Sequence, residues 1–308
     1  MSKLWYKKPA ETWEEALPLG NGRMGAMVYA SVGKEHVQLN EDSVWYGGYI
    51  DRNNPDALHN LPKIRELILN DQISEAEELM IYALSGTPQS QRPYQSLGDL
   101  FLDFKDLDGV ETEYERSLSL EDAIHRMKVT VGSNVHYRET FLSAVDDIMV
   151  MRLQTLKGNK ISFSALLTRE KYYDCAFRLT EDTIMLKGNL GRGGLDFAMV
   201  LKAVTEGGTC EIIGEHLIVN NADAVTLLFT AGTTFRFQDI TQELNKILSN
   251  VLEYTYDELK NRHINDYKKL YDRVTFQLNG TERYELLSTQ ERLEQAKKGN
   301  IDKGLAKL

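Results

Sequence analysis

Asn40-Glu41-Asp42 stands at the end of an apolar run, Val37–Leu39, and just ahead of Trp45 and Tyr46. An amide, two carboxylates and two aromatic faces emerging together suit a sugar. The polar groups bind ring hydroxyls, and an indole or phenol covers the apolar face of a pyranose. The competing reading is a turn in which Asn40 and Asp42 accept from backbone amides ahead of Trp45. Upstream, Leu17-Pro18-Leu19-Gly20-Asn21-Gly22-Arg23-Met24-Gly25 places three glycines within six residues. That spacing points to left-handed backbone or to very close approach, and Asn21 tolerates the same geometry. A loop seated against another domain or a substrate accounts for Asn21 and Arg23, and a sharp bend into a sheet accounts for the glycines.

Other chemistry finds little support. There is no phosphate-binding GxxxxGK[ST], no GxSxG elbow and no HExxH, and the six histidines are scattered. The run Gly188-Asn189-Leu190-Gly191-Arg192-Gly193-Gly194 precedes no helix and reads as a connection between strands. With 46 acidic residues, neighbours such as Asp103/Asp106/Asp108, Glu121-Asp122 and Asp146-Asp147 read as solvated turns. Cys175 and Cys210 lie in separate strand-like runs and read as small buried apolar residues. Neither a metal nor a cofactor is expected.

A net charge of -10 disfavours nucleic acid and anionic membrane as partners, since either would be approached against repulsion. The N-terminus, MSKLWYKKPAETW, has no apolar core of a signal peptide, and no run of 18 apolar residues occurs, so a cytoplasmic chain is expected.

The elements that must position these residues are mostly strands. Alternation over Met24–Ala30 and Val37–Leu39 about Gly33-Lys34 predicts a hairpin. A two-helix excursion follows. Asn54-Pro55 opens one helix, with a 3.6 period after Pro62, and a Ser74/Glu77 capping box opens the second, which Gly86 closes. From Gly98, twelve strand candidates succeed one another to Thr230, with turns at Gly109, Gly132, Gly158, Gly207-Gly208, Gly214 and Asn220-Asn221. No helix intervenes, which indicates a large antiparallel sandwich. Gln242–Leu252 and Tyr256–Tyr271 carry helical spacing, with Leu244, Ile247, Leu248 and Val251 on one face and Leu259, His263 and Leu270 on another. Val274–Leu278 reads as a short strand, Ser288/Glu291 as a capping box, and Asp302–Leu308 as an amphipathic helix that has only just begun.

Residues 17–48, followed by Arg52-Asn53-Asn54-Pro55, Tyr94-Gln95-Ser96-Leu97-Gly98-Asp99-Leu100 and Tyr137-Arg138-Glu139-Thr140-Phe141, closely resemble the N-terminal portion of glycoside hydrolase family 95, the inverting α-L-fucosidases. The resemblance implies a mainly β fold: an antiparallel β super-sandwich over 1–235, then a mostly helical linker over 236–308. It also implies that the general acid and the water-activating base, set roughly 6.5–9.5 Å apart in an inverting enzyme, belong to an (α/α)6 barrel downstream of this chain. No catalytic residue is therefore carried over. The chain is expected to be inactive alone, to pack on its own C-terminal barrel, and to meet a fucosylated oligosaccharide or an α-L-galactoside only through the longer enzyme. A free-standing carbohydrate-binding or interaction module is the alternative. Asn21, Arg23, Asn40, Glu41, Asp42 and Trp45 then become candidates for a substrate rim or a domain interface. Leu305, Leu308 and the faces around Leu244 and Leu259 are expected to lie open and to favour self-association.

Overall fold

A computed structural model describes residues 3–105, 107, 111–156, 159–276, 278, 284, 286–300 and 302–307. Its strands are β1 (Lys3–Tyr6), β2 (Leu17–Gly20), β3 (Met24–Val28), β4 (Lys34–Glu41), β5 (Gly98–Phe104), β6 (Glu111–Ser119), β7 (Ile124–Val131), β8 (Asn134–Ser143), β9 (Ile148–Thr155), β10 (Ile161–Thr168), β11 (Cys175–Thr180), β12 (Thr183–Asn189), β13 (Asp196–Glu206), β14 (Thr209–Ile213), β15 (His216–Ala222) and β16 (Ala224–Thr233). The helices are α1 (Ala57–Leu69), α2 (Ile73–Ala83), α3 (Ile240–Val251), α4 (Tyr256–Tyr271), α5 (Thr289–Lys297) and α6 (Lys303–Lys307). Among the described residues no helix is long and apolar enough to cross a membrane.

The strands form two antiparallel sheets, one ordered β1-β6-β7-β8-β9-β16-β13-β12-β11 and the other β14-β15-β10-β5-β4-β3-β2. In the seven-stranded sheet the period of two is plain: Met24, Ala26 and Val28 face the core from β3, as do Val37 and Leu39 from β4 and Leu100, Leu102 and Phe104 from β5. In the middle of the nine-stranded sheet the alternation vanishes, and all ten residues of β16 are buried. The cause is α3 and α4. Ile240, Leu244, Leu248, Val251 and Leu259 cluster with Phe141, Val150, Ala198, Val200 and Leu228 from the strands beneath. Glu139 on β8 anchors α4 through Lys260 at 2.6 Å and through the Tyr256 hydroxyl, and on its own sheet it meets Arg126 at 2.8 Å. Burial alone would raise its pKa, and these donors outweigh that and hold it below the usual carboxylate range.

Several expectations change at this level. The faces around Leu244 and Leu259 are closed, at 0% and 2% exposure, while Leu270 points outward at 66%. Leu305 is half-buried, and Leu308 lies outside the described residues, as do the turns at Gly109 and Gly158 and the residues Asp106 and Asp108. Cys175 and Cys210 are free thiols that are exposed and half-buried, because each sits on an edge strand with no neighbour to cover it. Ser74 lies inside α2 and caps nothing. Gln72 N–H closes α1 on the Leu67 carbonyl at 2.9 Å while the Gln72 carbonyl already accepts from Ala76, so α2 has to begin at once. Helix α1 runs through Pro62, which falls early enough to forfeit only one ladder bond. Residues 274–276 form no strand, and Gln277 lies outside the described residues.

The contacts divide the chain into two compact units. One comprises Met1–Val44, Ser96–Asn189 and Asp196–Leu308, and holds both sheets and α3 to α6; the other comprises Trp45–Gln95 and Leu190–Leu195. In the first unit α5 and α6 are tied by a buried ion pair, Arg292 Nε to Asp302 Oδ2 at 2.6 Å, and Asp302 also caps α6 by accepting from Leu305 N–H. Ser288 and Glu291 form the anticipated capping box of α5.

Between the sheets, His125 on β7 is 1% exposed and neither ring nitrogen has a partner. Burial, reinforced by Arg116, Arg138 and Arg126, pushes its pKa down from 6.5 to about 3. The unfolded chain therefore takes up a proton near pH 6.5 that the folded chain resists until about pH 3, so the unfolded state binds more protons across that window. Stability should fall as pH drops from about 6.5 towards 3, by up to about 4 kcal/mol from this group alone. His125→Leu removes two unpaired buried nitrogens and should flatten that limb of the pH–stability curve in urea titrations, with an unchanged or higher midpoint at pH 7.

Candidate functional site

The glycine loop resolves into a β2–β3 turn closed by Asn21. Its Oδ1 accepts from the backbone N–H of Arg23 at 3.0 Å and of Met24 at 2.7 Å, and its own N–H reaches the Met24 carbonyl at 3.1 Å. Of the three glycines only Gly22 needs left-handed backbone, with φ +93°, and a Cβ there would meet open space. The turn aims Arg23 between the sheets. Its Nε donates to Asp147 Oδ1 at 2.9 Å, one terminal nitrogen donates to the Ala231 carbonyl at 2.6 Å and contacts Glu41 Oε1 at 3.4 Å, and the other lies 2.8 Å from Asp147 Oδ2. Asn21 Nδ2 donates to the Ser143 carbonyl at 3.2 Å and approaches Asp147 Oδ1 at 3.3 Å.

Glu41 is fully buried. Its parity on β4 dictates this, since Glu35, Val37, Leu39 and Glu41 share the inward face. One carboxylate oxygen meets Arg23 and Arg236, at 3.4 and 3.5 Å, and the other accepts from Ser43 N–H at 2.8 Å and Ser43 Oγ at 2.5 Å. Ser43 Oγ continues to Thr233 Oγ1 at 2.6 Å. Asp42, on the exposed side, pairs with Arg236, and that carboxylate holds the Arg236 pKa above its ordinary value. A sealed carboxylate bridged by two guanidinium groups locks strands together and offers nothing to a sugar.

The candidates therefore separate by location. Asn21, Arg23, Glu41 and Asp42 form one network with Asp147, Arg236, Ser43 and Thr233. Asn40 lies on the opposite face of β4, in register with Gly25, where an added Cβ would sit 3.7 Å from that of Asn40. Trp45 belongs to the second compact unit. There it bridges Tyr94, the two rings meeting edge-on with centroids 5.4 Å apart. Asp146 and Asp147 are engaged by cations rather than left to solvent alone: the Asp146 side chain is 3% exposed and 2.7 Å from Arg262, and the Asp147 side chain, 32% exposed, receives Arg23. Asp122 likewise pairs with Arg126 at 2.7 Å.

Removing Arg23 should be read as a stability change. Arg23→Met leaves Glu41 sealed with only the partly exposed Arg236 and should cost about 3–5 kcal/mol of unfolding free energy. Adding Glu41→Met should recover a substantial part, because the uncompensated charge is gone. A double variant as unstable as the sum of the two singles, measured by denaturant unfolding, would show that the two side chains do not act as a pair.

Known proteins align with this architecture along the whole chain. Residues 4–238 match the model of the glycosyl hydrolase family 65 N-terminal domain, and residues 255–308 match that of the glycosyl hydrolase family 95 catalytic domain. Helices α4 to α6 thus fall within the catalytic-domain match. Among curated proteins, Alpha-L-fucosidase 2 of Arabidopsis thaliana is 30% identical over 96% of this chain and 38% of its own length. Probable alpha-fucosidase A of Aspergillus oryzae is 25% identical over 91% of this chain and 42% of its own. The chain spans about two fifths of the length of these relatives. A putative kojibiose phosphorylase from the human microbiome shares the fold at TM-score 0.53 and 10% identity, over 88% of this chain and 38% of that one. The chain belongs to the family of glycosyl hydrolase family 65 N-terminal domains, and its residues 255–308 match the family 95 catalytic-domain model.

Proposed function

We propose that this chain is the non-catalytic N-terminal domain of an inverting α-L-fucosidase-like glycoside hydrolase. Its partner is its own C-terminal catalytic barrel, and a fucosylated oligosaccharide is met through the longer enzyme. The observation that carries this reading is the succession of the two family matches in one chain, an N-terminal β domain over 4–238 and catalytic-family sequence over 255–308. The curated relatives, named as fucosidases, support the substrate class.

The geometry of the candidate network supports the non-catalytic role. A general acid must exchange a proton with the leaving group, and a base must hold a water. Here Glu41 is sealed, Asp147 is clamped by Arg23, and Asp42 is held by Arg236. The catalytic-family match over 255–308 favours this reading over a free-standing sugar-binding module. Function resides in the site rather than the fold, so α-L-galactosides, which carry a hydroxyl where fucosides have a bare C6 methyl, are the second substrate to test.

The purified 308-residue chain should show no hydrolysis of an aryl α-L-fucoside above the buffer rate. A hybrid in which it replaces the aligned segment of the Arabidopsis relative should turn the same substrate over. Hydrolysis by the chain alone at a rate comparable to the hybrid would overturn the proposal.

A further inference from the structure

The second compact unit contains a pocket that the proposed function does not use. It has a volume of about 340 Å³ and is lined by Trp45, Gly48, Ile50, Arg52, Gln91 and Arg92. Trp45 and Tyr94 remain open at 39% and 42% exposure, so aromatic surface is presented at this edge. Two guanidinium groups line the pocket and no carboxylate does. Arg52 is spent on backbone carbonyls, with Nε on Pro88 at 3.0 Å and a terminal nitrogen on Gln89 at 2.5 Å. The adjacent Asp51 accepts from Asn53 N–H.

Arg92 differs. One of its terminal nitrogens is buried without an acceptor, and among the described residues Arg92 has no ion-pair partner. Its guanidinium lies on the backbone of Gly47, where an added Cβ would fall 1.8 Å from that nitrogen, and Gly47 has φ +70°. The floor is thus built from glycine so that a cation can rest on it. That nitrogen is sealed against the glycine and out of a ligand's reach, so the guanidinium's other edge, which makes no ion pair among the described residues, is the one left for an acceptor.

We propose that this pocket binds an acidic saccharide unit, with a pyranose face on Trp45 and its carboxylate on Arg92. An isolated small anion would leave the aromatic edge unused, and a neutral sugar would leave Arg92 unpaired. Guanidinium and carboxylate match as planar groups through parallel hydrogen bonds, and Gln91 supplies an amide for a ring hydroxyl. The proposal goes beyond the fucosidase reading and is tested without turnover, so that either can fail alone.

Calorimetric or NMR titration of the intact chain with trigalacturonate, maltotriose and inorganic sulfate decides it. Trigalacturonate should bind at least about tenfold more tightly than maltotriose, a difference of about 1.4 kcal/mol. Added salt should erode that preference. Arg92→Gln should abolish it, and Trp45→Ala should weaken both sugars. If Arg92→Gln fails to fold, Arg92→Lys keeps the charge, loses the fork and should retain only part of the preference. Equal affinities for the two sugars, sulfate binding as tightly as trigalacturonate, a preference that survives in Arg92→Gln, or no trigalacturonate binding at about 10 mM would each overturn it.

Discussion

Two carboxylates at the ends of one strand govern how the sheets meet. Glu35 and Glu41 face inward from β4 with Val37 and Leu39 between them, so the middle of the strand is apolar and each end carries a buried charge. At one end Arg138, arriving from β8 of the other sheet, meets Glu35 at 2.8 Å with side-chain exposures of 3% and 1%, and its guanidinium lies 4.1 Å from the Phe104 ring centroid. At the other end Arg23 joins Glu41 to Asp147, which sits in the β8–β9 turn of the opposite sheet. Such pairs add little net stability over apolar packing, but a slipped register would strand a charge. Registry is what they secure: shifting β4 by one residue would turn both carboxylates outward, leave Arg138 without its carboxylate and leave Arg23 with Asp147 as its remaining carboxylate.

The remainder of the fold answers a second constraint, the cover of a wide sheet. Strands β9, β13 and β16 are apolar on both faces, and a sandwich supplies only one neighbour. Helices α3 and α4 supply the other. The segment that reads as a connection between domains is therefore part of the core of the first unit, and its polar clamps at Glu139 and Asp146 fix α4 in place.

The strands were legible because turn residues recur at regular spacing and the alternation is strong on the seven-stranded sheet. β1 and β2 carry no legible signal: Lys3–Tyr6 is too short to show a period, and Leu17–Gly20 carries a proline. The candidate network was half legible. Asn21, Arg23, Glu41 and Asp42 stood out locally, but Asp147, Thr233 and Arg236 reach them across long stretches of chain, and nothing local marks them. A local signal does exist for two buried charges in need of cations: Glu35 and Glu41 share the parity of Val37 and Leu39. Arg92 belongs to no motif, and its significance comes from a glycine far from it in sequence.

Strands β4 and β5 are direct neighbours, paired from Lys34 with Asp103 to Leu39 with Gly98. All of Trp45–Gln95 is therefore an insertion into what would otherwise be a simple hairpin loop. Loop-closure entropy grows only slowly with length, by about 0.6 kcal/mol per doubling, so the sheet is nearly indifferent to what the insertion contains. That makes the stretch between the shared motifs, residues 56–93, the part of this scaffold most free to diverge, shorten or be exchanged between relatives while both sheets stay the same.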